Sequence, residues 1–149
     1  MRLLLALLVA SLVGSPADRY ADVTINADGS VTVSTEDGRQ ITLPTLAPYA
    51  PAALTGAQGM KHVGAEQAVV SPDRQSVGWL ALFENCTSYP LPLKLVILHN
   101  GRISTLQGEA SIWFWSFQNA GKRAATCEEL PHRGQALHYD LWDRDRPIS

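Results

Sequence analysis

The chain has 149 residues, with 12 Lys+Arg against 14 Asp+Glu and a formal net charge of −2. That length holds one domain with one modest core and leaves no room for a second. The mildly acidic balance excludes an electrostatic nucleic-acid binder.

At the start, Arg2 precedes an apolar stretch from Leu3 to Val13 broken only by Ser11, and small residues follow at Gly14, Ser15 and Ala17. A positive n-region, an apolar h-region and a small-residue cleavage zone make residues 1–17 a signal peptide, helical while attached. A buried helix is the alternative; the short stretch and its charged flank fit it less well. The stretch falls well short of the roughly 20 apolar residues a membrane-spanning helix needs, and no later segment exceeds it. Cleavage is expected after Ala17 or a few residues earlier, giving a periplasmic or secreted chain with no membrane span. Taking Arg2 from the 12 bases leaves 11 against 14 acids, a net charge of −3. No cysteine lies near the cleavage zone, so a lipid anchor is not expected.

Residues 18–149 then form a single β-rich domain. β-Branched residues flank Asp28-Gly29, a strong hairpin signal, and Asp37-Gly38 follows before Gln40-Ile41-Thr42-Leu43, so residues 22–43 predict a three-stranded meander. Val31 and Val33 alternate with Thr32 and Ser34, which puts apolar groups on one face only. From 44 to 64 the chain is rich in Pro, Ala and Gly; Pro44, Pro48 and Pro51 exclude a regular interior element. This stretch predicts an irregular connection, with room for a helical turn around Ala52 to Leu54.

Residues 66–106 predict a first unit of turn, strand, loop and returning strand. Val69-Val70 approaches, Pro72-Asp73-Arg74-Gln75 turns, and the unbroken apolar run Val77 to Phe83 implies burial on both faces. Leu93 to Leu98 returns to the Asn100-Gly101 turn, and Ile103 to Leu106 continues as a third strand. Residues 112–148 predict a second unit. It opens with Ile112-Trp113-Phe114-Trp115-Ser116-Phe117, where strand period puts Trp113, Trp115 and Phe117 on one face and Ile112 and Phe114 on the other. The run reads as a central core strand; the alternative is a partly exposed aromatic platform for sugars or a peptide.

Ser71-Pro72-Asp73 followed by Val77-Gly78-Trp79 resembles the turn and strand of WD40-like repeats in TolB-type β-propellers. The turn Ala120-Gly121-Lys122-Arg123 and the closing strand His138-Tyr139-Asp140-Leu141-Trp142-Asp143 are similar to further parts of the same repeat. The chain also resembles small exported bacterial proteins of undefined function, through Asn85-Cys86-Thr87-Ser88-Tyr89-Pro90 and the run 112–117. The resemblance covers roughly residues 64–146. Position 74 is Arg where the repeat usually has Gly, which puts the turn type in question, and residues 18–63 do not match. A propeller needs about four or more blades to close. The resemblance therefore implies an all-β fold of antiparallel meanders, like two to three blades of an unclosed propeller. It further implies a surface for binding or scaffolding, with no catalytic residues and no cofactor.

Two cysteines in an exported chain, Cys86 and Cys127, predict a disulfide. Closing a loop of about 40 residues would stabilise by roughly 4 kcal/mol in the chain-entropy reckoning; two separate buried thiols are the alternative. The richest polar cluster is Glu128, Glu129, His132, Arg133 and His138, on the loop and strand after Cys127. Folded together with Trp113 or Trp115, it would suit a small hydrolase or a sugar-binding site. Its spacing matches no known metal-ligand pattern, and the plain reading is a solvated loop. No Gly-x-Ser-x-Gly elbow or phosphate loop is present. The expectation is thus an exported, non-enzymatic module that binds a protein or cell-envelope partner. Open sheet edges also make a homodimer by edge-strand pairing an expected partner state.

Overall fold

The computed structural model describes residues 17–43, 60–84, 88–107, 110–129, 137–144 and 146. The expected signal peptide up to residue 16, the helical turn at 52–54, Cys86 and His132 lie outside the described residues. The strands are β1 (Tyr20–Ile25), β2 (Val31–Thr35), β3 (Gln40–Leu43), β4 (His62–Val70), β5 (Ser76–Phe83), β6 (Leu91–His99), β7 (Arg102–Gln107), β8 (Ser111–Gln118), β9 (Arg123–Glu129) and β10 (Leu137–Asp143). They form three antiparallel sheets, none closed into a barrel: sheet A is β1-β2-β3, sheet B is β4-β5-β6-β7 and sheet C is β8-β9-β10. Each is a meander in chain order.

The first meander turns where its Asp-Gly pairs stand. Gly29 and Gly38 have φ of +82° and +85°, a region glycine enters without a Cβ penalty. At the first turn Asp28 Oδ1 accepts from the Ser30 amide at 3.0 Å and from the Ser30 hydroxyl at 2.6 Å. Sheet A begins at Tyr20, two residues before the predicted meander, because Tyr20 is fully buried and its amide donates to the Arg74 carbonyl at 2.7 Å. The irregular connection also ends earlier than expected: β4 starts at His62, paired with Phe83.

The three sheets stack with B in the middle. Tyr20, Val31 and Val33 of sheet A pack with Val77, Trp79, Ala81, Phe83, Val96 and Leu98 on one face of sheet B. Leu80, Leu95, Ile97 and Leu106 on its other face pack with Ile112, Trp115, Ala124 and Trp142 of sheet C. Alternation along β5 therefore serves two cores at once, which is why Val77 to Phe83 is an unbroken apolar run. Gly78 is the close approach between sheets B and C. A Cβ there would fall 2.5 Å from Trp115 Cη2 and 3.0 Å from Ile97 Cδ1. The Trp115 indole N–H donates to the Gln67 carbonyl at 3.1 Å, where the bulge between Glu66 and Val69 frees that carbonyl from the ladder.

One correction concerns the aromatic run. β8 is an edge strand of sheet C, not a central one. Its register shifts between Ile112 and Phe114, with Ile112 opposite Glu128 and Phe114 opposite Cys127, so Trp113 is the extra residue of a bulge. Past the bulge the period resumes one residue out of step. Trp115 is therefore buried with Ile112 on the inner face, while Trp113 is 71 % and Phe114 55 % exposed.

Candidate binding surface

The turns joining β2 to β3, β4 to β5 and β8 to β9 gather at one end of the stack, where they lock the sheets together. In the Ser71 to Gln75 turn, the Asp73 carboxylate accepts from the Ser71 hydroxyl at 2.7 Å and the Gln75 amide at 3.2 Å. Arg144, at the end of sheet C, donates to the other Asp73 oxygen at 2.9 Å. Burial pushes the Asp73 carboxyl up, but the Ser71, Arg144 and Gln75 donors together outweigh it and hold the group below its usual range. Gly121, at φ +100°, passes so close to this turn that a Cβ would lie 2.6 Å from Asp73 Oδ1.

Sheet A is tied in by Glu36, which accepts from Arg19 at 2.8 Å and from Arg74 at 3.1 Å. Those two guanidiniums lower its carboxyl. Asp37, bonded to the Thr35 hydroxyl and to Arg39 at 2.9 Å, is lowered to about 2. Two grooves open at this end. One, of about 360 Å³, is lined by Ala17, Asp18, Arg19, Glu36, Asp37 and Arg39. The other, of about 450 Å³, is lined by His99, Asn100, Arg102, Ser104, Trp142, Asp143 and Arg144. Most of their charges are spent on one another, so this end is built for cohesion between sheets.

The outer faces of the stack differ in kind. Sheet A turns Asp22, Thr24, Thr32, Ser34, Gln40 and Thr42 outward, and the Thr32 and Thr42 hydroxyls share a hydrogen bond of 3.1 Å. Sheet C turns outward Phe114, Ser116 and Gln118 from β8 and Arg123, Ala125, Cys127 and Glu129 from β9, with Trp113 standing beside Phe114 at the bulge. Arg123 Nε donates to Asp143 Oδ2 at 3.1 Å. The centre of this face is apolar and aromatic, and its two charged residues on β9 stand at opposite ends of the strand.

The predicted site residues divide across this sheet. Glu128 is buried on the inner face of β9, where its Oε2 accepts from the Ala110 amide at 3.2 Å. Glu129 is exposed on the outer face, so the two acids leave the strand in opposite directions. The ladder sets His138 opposite Glu128. Trp115 is covered by sheet B, and Trp113 is exposed to solvent. Neither groove at the turn end includes Trp113, Glu128 or Glu129. Cys127 is half-buried in β9, and its predicted disulfide partner Cys86 lies outside the described residues. Among the described residues no three His, Cys, Asp or Glu side chains gather at metal-binding distance.

Sequence reasoning missed Tyr20, whose hydroxyl accepts from the Gly101 amide at 3.3 Å, and the junction of Asp73, Gly121 and Arg144. Only the Ser-Pro-Asp turn hinted at the latter. No protein-family model, curated protein or solved structure matches this chain.

Proposed function

We propose that the chain is an exported, non-enzymatic β-protein that acts as a binding module for a protein partner and docks it on the outer face of sheet C. The observation that carries this reading is the exposure of Trp113 and Phe114 side by side on that face. Burying a large apolar side chain gains about 1.5–3 kcal/mol, and the same fold buries Trp79, Trp115 and Trp142. A bulge that holds an indole out in solvent forgoes that gain unless another surface covers it. Aromatic side chains dominate binding hot spots, and bulges commonly re-aim a side chain. Export rests on Arg2 and the apolar stretch Leu3 to Val13. The stacking of consecutive meanders supports the blade-like reading of the repeat.

The enzymatic alternative has less support. It needs two acids converging beside an indole, and Glu128 and Glu129 diverge. The test of the docking surface is a photo-crosslinking residue placed at position 113 in the full chain expressed in a bacterial cell. A matched probe at position 22, on the polar face of sheet A, serves as control. Adducts with a polypeptide are expected from position 113 and not from position 22. Equal labelling from both, or none from 113, would remove the face of sheet C as the working surface.

A further inference from the structure

Resting on the docking surface just proposed, we infer that the first occupant of the outer face of sheet C is a second copy of this chain, seated face to face about a two-fold axis perpendicular to β9. Two observations converge on this occupant. Within one chain, sheets already stack face to face twice, A on B and B on C, so a further layer continues an existing geometry. Sheet A cannot supply that layer, because its outer face is a ladder of Thr, Ser, Gln and Asp that gains nothing against aromatics. Head-to-tail stacking of copies into an open filament is thereby disfavoured. What remains is sheet C against sheet C, a closed isologous pair that ends in a polar sheet A on both sides.

Charge sets the direction of the pairing. Arg123 and Glu129 lie six residues apart on the same face of β9, a rise of about 20 Å. With the two β9 strands antiparallel and crossing at Thr126, each Arg123 meets the Glu129 of the other copy. A parallel arrangement would set like charges together. The Arg123 guanidinium is the presented partner of its intrachain bridge, with 46 % of its side chain exposed against 18 % for Asp143. Phe114 stands level with Cys127, one residue from the crossing point, so the two copies of Phe114 lie about two residues, or 7 Å, apart along the strand. That separation suits an offset aromatic pair. Three strands of seven or eight residues present a footprint of only about 350 Å². Even doubled for side-chain relief, the buried total sits near the lower end of stable interfaces, about 1,200 Å². The expected dimer is weak, with a dissociation constant in the micromolar range.

Sedimentation equilibrium of the mature chain from a few to several hundred micromolar tests this directly. The wild type should pass from monomer to dimer, and Trp113→Ala with Phe114→Ala should weaken association at least tenfold. Arg123→Glu and Glu129→Arg should each do the same alone, with circular dichroism reporting an unchanged fold. Mixed one to one, these two charge variants should associate again, because each then meets an opposite charge at both ends. A wild type that stays monomeric at several hundred micromolar overturns the inference, as does a dimer indifferent to all four substitutions. If the wild type is monomeric while position 113 crosslinks a different polypeptide in cells, the second copy is excluded and the docking surface stands. If neither association nor crosslinking occurs, both readings fall.

Discussion

Arg74 occupies the left-handed region at φ +60°, the conformation that glycine would take without strain in the same turn. A left-handed L-residue costs roughly 1–2 kcal/mol. Against that, the exposed bridge from Arg74 to Glu36 contributes little, and glycine adds freedom to the unfolded chain worth about 0.4–1 kcal/mol. Arg74→Gly should therefore be neutral or stabilising by up to about 1 kcal/mol in urea denaturation. A loss above that size would mean the ion pair outweighs the strain. Gly78 gives the opposite result. Its φ is ordinary, but its missing side chain is what lets Trp115 lie against β5, where a Cβ would clash with the indole at 2.5 Å. Gly78→Ala should cost about 1–3 kcal/mol by overpacking. The cost should shrink sharply in a Trp115→Leu background, a coupling that a double-mutant cycle measures. Equal costs in the two backgrounds would show that Trp115 is not the obstacle.

At the scale of elements, the bulge in β8 makes a sharper test than any single side chain. Ile112 faces inward, Phe114 outward and Trp115 inward, so removing Trp113 leaves strict alternation along the strand. Deletion of Trp113 should leave stability within about 1 kcal/mol of wild type. Deletion of Ser116 should be far more damaging, because it throws every residue beyond it onto the wrong face. Comparable thermal midpoints for the two deletions would refute this register. The same bulge explains what the sequence could and could not reveal. The strands were legible wherever β-branched residues met Asp-Gly or Asn-Gly turns, and the two-faced burial of β5 was legible from its unbroken apolar run. Period-two reasoning also grouped Trp113 with Trp115, since nothing local announces an inserted residue that only the pairing with β9 defines. It read β8 as central for a related reason: an aromatic run looks alike whether its neighbour lies in the same sheet or in the next. The contrast between Glu128 and Glu129 follows from simple alternation. Which of the two would be buried depended on where sheet B lay, and that is long-range information.

For the molecule as a whole, the paired carboxylates at the turn end make stability depend on pH in a defined direction. Glu36, Asp37 and Asp73 all have carboxyls held below their ordinary values, Asp37 at about 2. A carboxyl depressed in the folded state stabilises above its unfolded pKa, near 4, and that contribution disappears as pH falls through the folded value. These groups should therefore erode stability between about pH 4 and pH 2. His62 acts earlier. It is buried against Phe83, at a ring separation of 5.4 Å, and burial pushes its imidazole below 6.5. The unfolded chain then binds the proton more readily than the folded one, so stability also falls as pH drops below about 6.5. Two separate declines are expected in urea midpoints measured from pH 7.5 to 2.5. His62→Gln should flatten the first and leave the second. Asp73→Asn should lower the midpoint at neutral pH by removing the charge that Arg144 bridges, and should reduce the second decline while preserving the first. If the fall between pH 6.5 and 5.5 survived in His62→Gln, the upper decline would belong to another group. If Asp73→Asn left the acid limb unchanged, the lock between sheets B and C would contribute little to holding the stack together.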